Sequence, residues 1–382
     1  MGMKRQFKWI GPILLSAILW NISIPNGVTV QAWSLFSIFM GTILAFILQP
    51  LQIGAIAFIS LGLTALLGVL SVKDILSSFS QPTVWLIVSA FLFSRGFIKT
   101  GLGKRVAYYL MKCFGDNTLK LAYVLQLSDL LIAPATPSNT ARAGGIIYPV
   151  VRSVCSAFDS NPGETSKRLG NYLMQASYHG NTTTSAMFMT AMAGNPLMVS
   201  IAKDVANIEI SWGLWLLVTI VPGIIGFFLI PLIIYFMNPP EIKKTPHAKS
   251  LAISELENLG PIKKSEISLV IIFLCALILW ATTQITGLNA TLIGLLAVGA
   301  MIITNVISWN DVTGEKGAWD TMFCMPISQE LTHYAAGPSP IFFESGYISQ
   351  SQWWRNGFIL SIINLIIWIG IGSLWIKFLG LI

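Results

Sequence analysis

Charge is what this sequence has least of. Asp, Glu, Lys and Arg make up 10% of its 382 residues, against roughly 25% in soluble globular domains. With 54% apolar residues, a water-soluble chain of this length could not hide its apolar surface without splitting into several cores. Cysteine is scarce as well. Cys113, Cys155, Cys275 and Cys324 lie far apart, and no two form a CxxC pair. That spacing argues against a zinc ribbon or a disulfide framework and leaves four small buried apolar side chains. His179, His247 and His333 do not cluster either, so no zinc or iron centre is expected. The sequence has no HExxH, no Ser/Lys or Ser/His pairing in a recognisable context and no paired membrane aspartates, so an intramembrane enzyme is not expected.

What is present in quantity is long apolar runs, and the mean hydropathy is +0.72. A membrane crossing needs about 20 predominantly apolar residues. Runs of that kind lie near 9–24, 32–48, 52–70, 83–98, 169–192, 211–237, 266–284, 287–307 and 356–380. The formal net charge of +7 comes from Lys and Arg gathered in short segments between the runs. These are Lys4, Arg5 and Lys8; Lys99, Lys104, Arg105 and Lys112; Lys167 and Arg168; and Lys243, Lys244, Lys249, Lys263 and Lys264. This is the positive-inside bias of a membrane protein. A nucleic-acid stripe would instead spread along one exposed face. With a cytoplasmic N-terminus, the crossings place the loops after 48, 98, 237 and 307 inside. The nearly uncharged loops near 25–30 and 284–287 then fall outside. The first run, Trp9 to Ile24, lacks a small-residue cleavage site and reads as a span, and no Ser- and Arg-rich transit peptide precedes it.

Two stretches break the pattern. Residues 118–136 are apolar but carry Asp129, and they end in Ala133-Pro-Ala-Thr-Pro137; Ser138-Asn-Thr-Ala-Arg142 and an apolar return, Gly144 to Phe158, follow. Polar or basic residues flank both ends. The segment therefore reads as a re-entrant hairpin with Ser138, Asn139 and Thr140 at its tip; the alternative, two short spans joined by an external loop, would put Lys167 and Arg168 outside, against the charge rule. Pro137 discourages helix before it, and Ser138 or Asn139 is a natural N-cap for the return. The second stretch is Gly180-Asn-Thr-Thr-Thr184, followed by Ala193-Gly-Asn-Pro196. Glycine, proline and polar side chains inside an apolar run predict a broken helix, because irregular backbone at membrane depth occurs where it lines a cavity or is buried. The threonines can equally bond back to their own helix carbonyls. A re-entrant tip facing a broken helix is how secondary transporters build a midplane site.

The strings 133–153, 169–196 and 331–350, with Pro137-Ser-Asn-Thr-Ala-Arg142 at their centre, resemble the divalent anion:sodium symporter family. The resemblance is to its citrate carrier and 2-oxoglutarate/malate translocator branch, and it extends over nearly the whole chain. It implies an all-α polytopic membrane protein, an inverted-repeat secondary transporter with a re-entrant hairpin and broken helices. It implies a scaffold and first spans at 1–117, the hairpin at 118–158, a broken helix and following span at 159–237, and a cytoplasmic loop at 238–264. The second repeat begins at 265–322, and 323–382 holds a remnant of its broken helix and the last span. The function implied is exchange or sodium-coupled symport of di- and tricarboxylates such as 2-oxoglutarate, malate, succinate or citrate. The setting is a bacterial inner membrane, the chain is a homodimer, and no cofactor is needed beyond sodium.

By the same resemblance Ser138, Asn139 and Thr140 contact substrate, and Ser138, Asn139 and Gly194 contact sodium. Gly194, Asn195 and Pro196 form the first broken turn; Gly337 and Pro338, preceded by His333, form the second. Arg142 has two open readings, a fork on a carboxylate or a partner for Asp129. Asp129 itself is a proton-relay acid or a paired carboxylate, and His333 an anion contact or a buried neutral side chain. There are two departures from the family. Only one Ser-Asn-Thr is present: after Trp319-Asp-Thr321 the chain passes directly to Phe323 and Leu331, so on the order of 80–100 residues of the second repeat are missing. A transport-inactive variant is therefore the alternative reading. The second departure is Pro134, where sodium-driven members carry a hydroxyl. Proline offers a cation no side-chain oxygen, which favours exchange over symport.

Overall fold

The computed structural model of the protein describes residues 2–136, 138–328 and 338–381. All regular structure among them is helical. The only strand-like feature described is one isolated antiparallel bridge between Asn117 and Lys244. In lipid every backbone group must be satisfied inside its own segment, which leaves helix as the answer for apolar runs. The helices start where the sequence supplies a capping oxygen. Thr29, Asn117, Ser211, Asn289 and Ser349 each accept a backbone N–H two or three residues on.

Each of the nine apolar runs contains a helix. Among the described residues six helical stretches have the length and apolarity to cross a membrane: Val30–Leu48, Pro82–Thr100, Thr118–Ala135, Trp212–Met237, Lys264–Ala281 and Gln350–Phe378. Ile53–Leu66 and Ala290–Ile303 have 14 residues each, about 21 Å at 1.5 Å per residue, less than a hydrocarbon core of about 30 Å. Gly170–Met187 is long enough but polar on two faces.

The chain divides into two compact units. One comprises Met1–Val88 with Thr313–Thr332. Its first two helices, Gly2–Asn21 and Val30–Leu48, cross so tightly that a methyl group at Gly41 would lie 2.7 Å from the carbonyl oxygen of Pro12. The hydroxyls of Thr42 and Ser60 meet at 2.6 Å, and Gly54 makes room for the Asp320 carboxylate. The other unit, Ser89–Val312 with His333–Ile382, contains the hairpin, the interrupted helix and the last span.

The interruption falls between the two marks in the sequence pattern, just before Gly194-Asn-Pro196 and not at Gly180–Thr184. Gly170–Met187 runs unbroken through Gly180–Thr184, and the helix ends at Phe188. Thr182 and Thr183 donate to the carbonyl of His179 at 2.7 and 3.2 Å, which absorbs their polarity within the helix. Gly180 is there for close approach, since a Cβ would sit 3.0 Å from the Gln126 side chain.

Candidate functional site

The hairpin begins with Thr118–Ile132, whose first turn is capped by Asn117 (2.8 Å to the Lys120 N–H). A tight turn over Ala133–Ala135 ends this arm, and the chain is non-helical at Thr136 and Ser138. The return runs through Asn139–Arg142, a π-helical turn Ala143–Ile147, and Tyr148–Ala157. Both ends of this excursion are fastened to one short segment. The Thr118 N–H donates to Lys243 O (3.1 Å) and Thr245 N–H to Asp116 O (2.9 Å). On the far side Glu241 and Ile242 donate to Lys167 O and Arg168 O at 3.2 and 2.8 Å. The polypeptide therefore leaves residues 241–245 and comes back to them.

At the tip, Ser138 is the cap, its Oγ accepting from Ala141 N–H at 3.1 Å. Thr140 N–H donates to Asn139 Oδ1 (2.9 Å), and Arg142 N–H to Ser138 O (3.0 Å). The first-turn donors that a helix start leaves open are thus mostly engaged by the tip itself. Ser138 and Thr140 are half-buried, while Asn139 is buried.

Behind the tip lies a buried ion pair. Arg142 is fully buried, with Nε 2.7 Å from Asp129 Oδ1. Its other nitrogens donate to Thr136 O (2.8 Å), Ala191 O (3.1 Å) and Ser185 Oγ (2.6 Å). Asp129 also accepts from Asn181 Nδ2 at 3.0 Å and from the Thr184 hydroxyl. Of the two readings of Arg142, the structure carries internal pairing: the guanidinium is consumed holding the arms together, which removes it as a free substrate contact. Asp129 is likewise paired. Ser185, Asn181 and Ala191 were not visible as partners, because nothing in a linear pattern links them to position 142.

The break facing the tip runs from Phe188, which is extended, through a turn at Met189–Ala191 to Gly194–Ala206. A helix end leaves its last four carbonyls unpaired, and here those of Ser185, Ala186 and Met187 find side-chain donors. Asn195 Nδ2 donates to Ser185 O and Phe188 O (2.8 and 2.9 Å), Trp215 to Ala186 O (3.1 Å), and Thr219 to Met187 O (2.7 Å). Gly194, Asn195 and Pro196 open the second half-helix, and the Asn195 amide nitrogen closes the gap in the first. Tip and break are bonded together. The Thr190 hydroxyl donates to Pro134 O at 2.5 Å and accepts from Trp212 Nε1 at 3.1 Å. Asn139 Nδ2 lies 3.8 Å from Met192 Sδ. Of the residues expected in the second broken turn, Pro338 begins the helix Pro338–Phe343 and is buried; His333 and Gly337 lie outside the described residues. Among the described residues no group of three His, Cys, Asp or Glu side chains could hold a metal ion.

A family model described as the sodium:sulfate symporter transmembrane region matches residues 3–328 and again 322–382. YflS of Bacillus subtilis, whose name assigns it to malate transport, is 39% identical over 471 aligned positions, covering 100% of this chain and 98% of that one. Dicarboxylate transporter 1 of spinach chloroplasts is 34% identical, covering 97% and 81%. An inner membrane protein of Escherichia coli is 38% identical, covering 84% and 69%. The 471 positions against 382 residues leave about 89 positions without a counterpart here. The two family matches meet at 322–328, where the sequence pattern places the loss.

Proposed function

Because this chain belongs to the sodium:sulfate symporter transmembrane family, we propose that it is a secondary carrier of C4 to C6 di- and tricarboxylates. It is a multi-pass membrane transporter and not an enzyme. The observation that carries the substrate reading is the hairpin tip bonded to a helix break in a core whose arginine is already committed. Relatives named for malate and dicarboxylate transport support the same class.

A dicarboxylate brings two charges to a depth where an unpaired charge is costly. In this reading Ser138, Asn139 and Thr140 take one carboxylate with neutral donors, aided by the positive end of the returning helix. The half-helix start at Gly194, Asn195 and Pro196, and the second turn with His333, Gly337 and Pro338, take the other. Neutral donors grip more loosely than an arginine fork would, which suits cargo that must be released. Because Thr140 N–H is held by Asn139 Oδ1, binding also requires that contact to open. Ser138, Asn139 and Gly194 supply the oxygens proposed for sodium. Pro134, with no side-chain oxygen, favours exchange of one acid for another. The hairpin is read as dipping into a bacterial inner membrane from the cytoplasmic side, with the N-terminus inside and two copies per assembly.

The test is counterflow. Proteoliposomes loaded with malate are expected to accumulate labelled 2-oxoglutarate, and Asn139→Ala to remove that uptake. Uptake no greater than in protein-free liposomes defeats the carrier reading in favour of a transport-inactive chain. Dependence of the flux on external sodium separates symport from exchange.

A further inference from the structure

Helix Gly170–Met187 and the last span, Gln350–Phe378, are locked together at their base. Asn171 and Gln352 exchange bonds at 2.9 and 3.2 Å, and Asn356 donates to Gln175 at 2.5 Å. Further along, the two helices part and a groove of about 460 Å³ opens between them. Tyr178, His179, Thr182, Trp353, Gly357 and Ser361 line it. His179 stands about 14 Å along its helix from Gly170, and Ser361 about 16 Å along the last span from Gln350. The groove therefore lies at membrane depth.

Lipid tails match this lining poorly. A histidine and two hydroxyl side chains offer hydrogen bonds that hydrocarbon cannot return, and in membranes such groups face other helices. Gly357 and Ser361 are four residues apart, the small-residue spacing that admits a close helical neighbour. A Cβ at Gly357 would meet nothing within 4 Å, and Ser361 is exposed. The place of such a neighbour is open.

Two further facts identify the neighbour. About 89 family positions have no counterpart in this chain, enough for several helices of about 20 residues each. The two family matches meet at 322–328, so the absent stretch falls before Pro338. The described chain resumes there with the helix Pro338–Phe343, and that helix packs against the groove lining. The Phe342 ring lies 6.1 Å from that of Tyr178, and the Phe343 ring 5.4 Å from that of Trp353. The absent stretch thus joins the fold beside the open groove.

We propose that this groove is the seat of the family segment that the chain lacks, and that it takes up that segment when supplied as a separate membrane polypeptide. The partner is helical and apolar, with small or hydroxyl-bearing side chains on the face that meets Gly357 and Ser361. A second copy of this chain lacks the same stretch and cannot supply it. The inference rests on family membership and not on what the hairpin tip binds, so a failure of counterflow leaves it standing.

Co-expression tests it. The stretch of YflS opposite the gap is produced as a tagged polypeptide in the same membrane as the full chain. The chain has its four cysteines changed to Ser and carries a photo-activated cross-linker on Ser361→Cys. An adduct between chain and segment is expected. It should be lost when the cysteine is moved to Ile359→Cys, an exposed position about 200° round the same helix. An adduct to lipid or to a second copy, with the segment present in the membrane, overturns the proposal, and so does equal reaction from both positions. Co-purification with the unlabelled, otherwise unchanged chain gives an independent reading. The segment is expected to be retained, and Gly357→Trp, which fills the groove, to release it while Ile359→Trp does not. No retention by the unchanged chain, or retention unaffected by Gly357→Trp, counts against the seat.

Discussion

Along helix Gly170–Met187, the face towards the hairpin is ionic and closed, and the face towards the last span is neutral and partly open. On the first, Asn181, Thr184 and Ser185 join the Asp129–Arg142 pair, and the charges cancel within a few ångströms. On the second, amides bond to amides until the ladder ends at Asn356, and an unpaired oxygen follows at Asn364. The difference teaches how each face is held. A network whose charges bond to one another fixes the geometry of the hairpin, even with Asn181 Oδ1 inside it unpaired, whereas the neutral face is held by amide-to-amide bonds alone.

Breaking the ionic face should have the largest effect. Asp129→Ala strands a fully buried guanidinium and is expected to cost about 3–5 kcal/mol, seen as loss of monodisperse protein in detergent. The double change Asp129→Leu with Arg142→Met should recover much of it, because no buried charge remains. Equal damage from both would show that the pair is not what holds the arms. The neutral face should yield less. Gln175→Leu combined with Asn356→Leu removes the bond between them and the one from Gln175 to Asn171, so about 1–2 kcal/mol is expected, read as a modest fall in melting temperature. A loss as large as that of Asp129→Ala would erase the proposed contrast.

The smallest effect lies outside both faces, at Asp311. Burial raises its carboxyl, but hydrogen bonds from Lys99 (2.5 Å) and Ser308 outweigh that and hold it well below the usual carboxylate range. A depressed carboxylate stabilises the fold above its unfolded value, near pH 4, and that contribution is lost as pH falls through the depressed value. Asp311→Asn should therefore lower the melting temperature at pH 7, with the difference shrinking below about pH 4. A difference that grows on acidification would contradict the assignment.

Much of the fold was legible because apolar runs and capping residues are local signals. The returning hairpin could be read from Lys112 and Asp116 on one side and Lys167 and Arg168 on the other, and Ser138 from its place after a proline. The break was legible at Gly194-Asn-Pro196, but Gly180 was misread, because it looks identical in sequence whether it interrupts a helix or admits Gln126. Arg142 stayed ambiguous for a related reason. A guanidinium's role depends on which oxygens reach it, and Thr136, Ser185 and Ala191 are brought there only by packing.

By itself the sequence determined a helical chain for lipid, with a tip of hydroxyls and an amide and a junction near 322 where family positions are absent. Tertiary structure decided which polar groups are spent and which remain. Composition fixes how many donors and acceptors a chain holds, but only the approach of separate helices determines whether they satisfy one another or are left for a ligand.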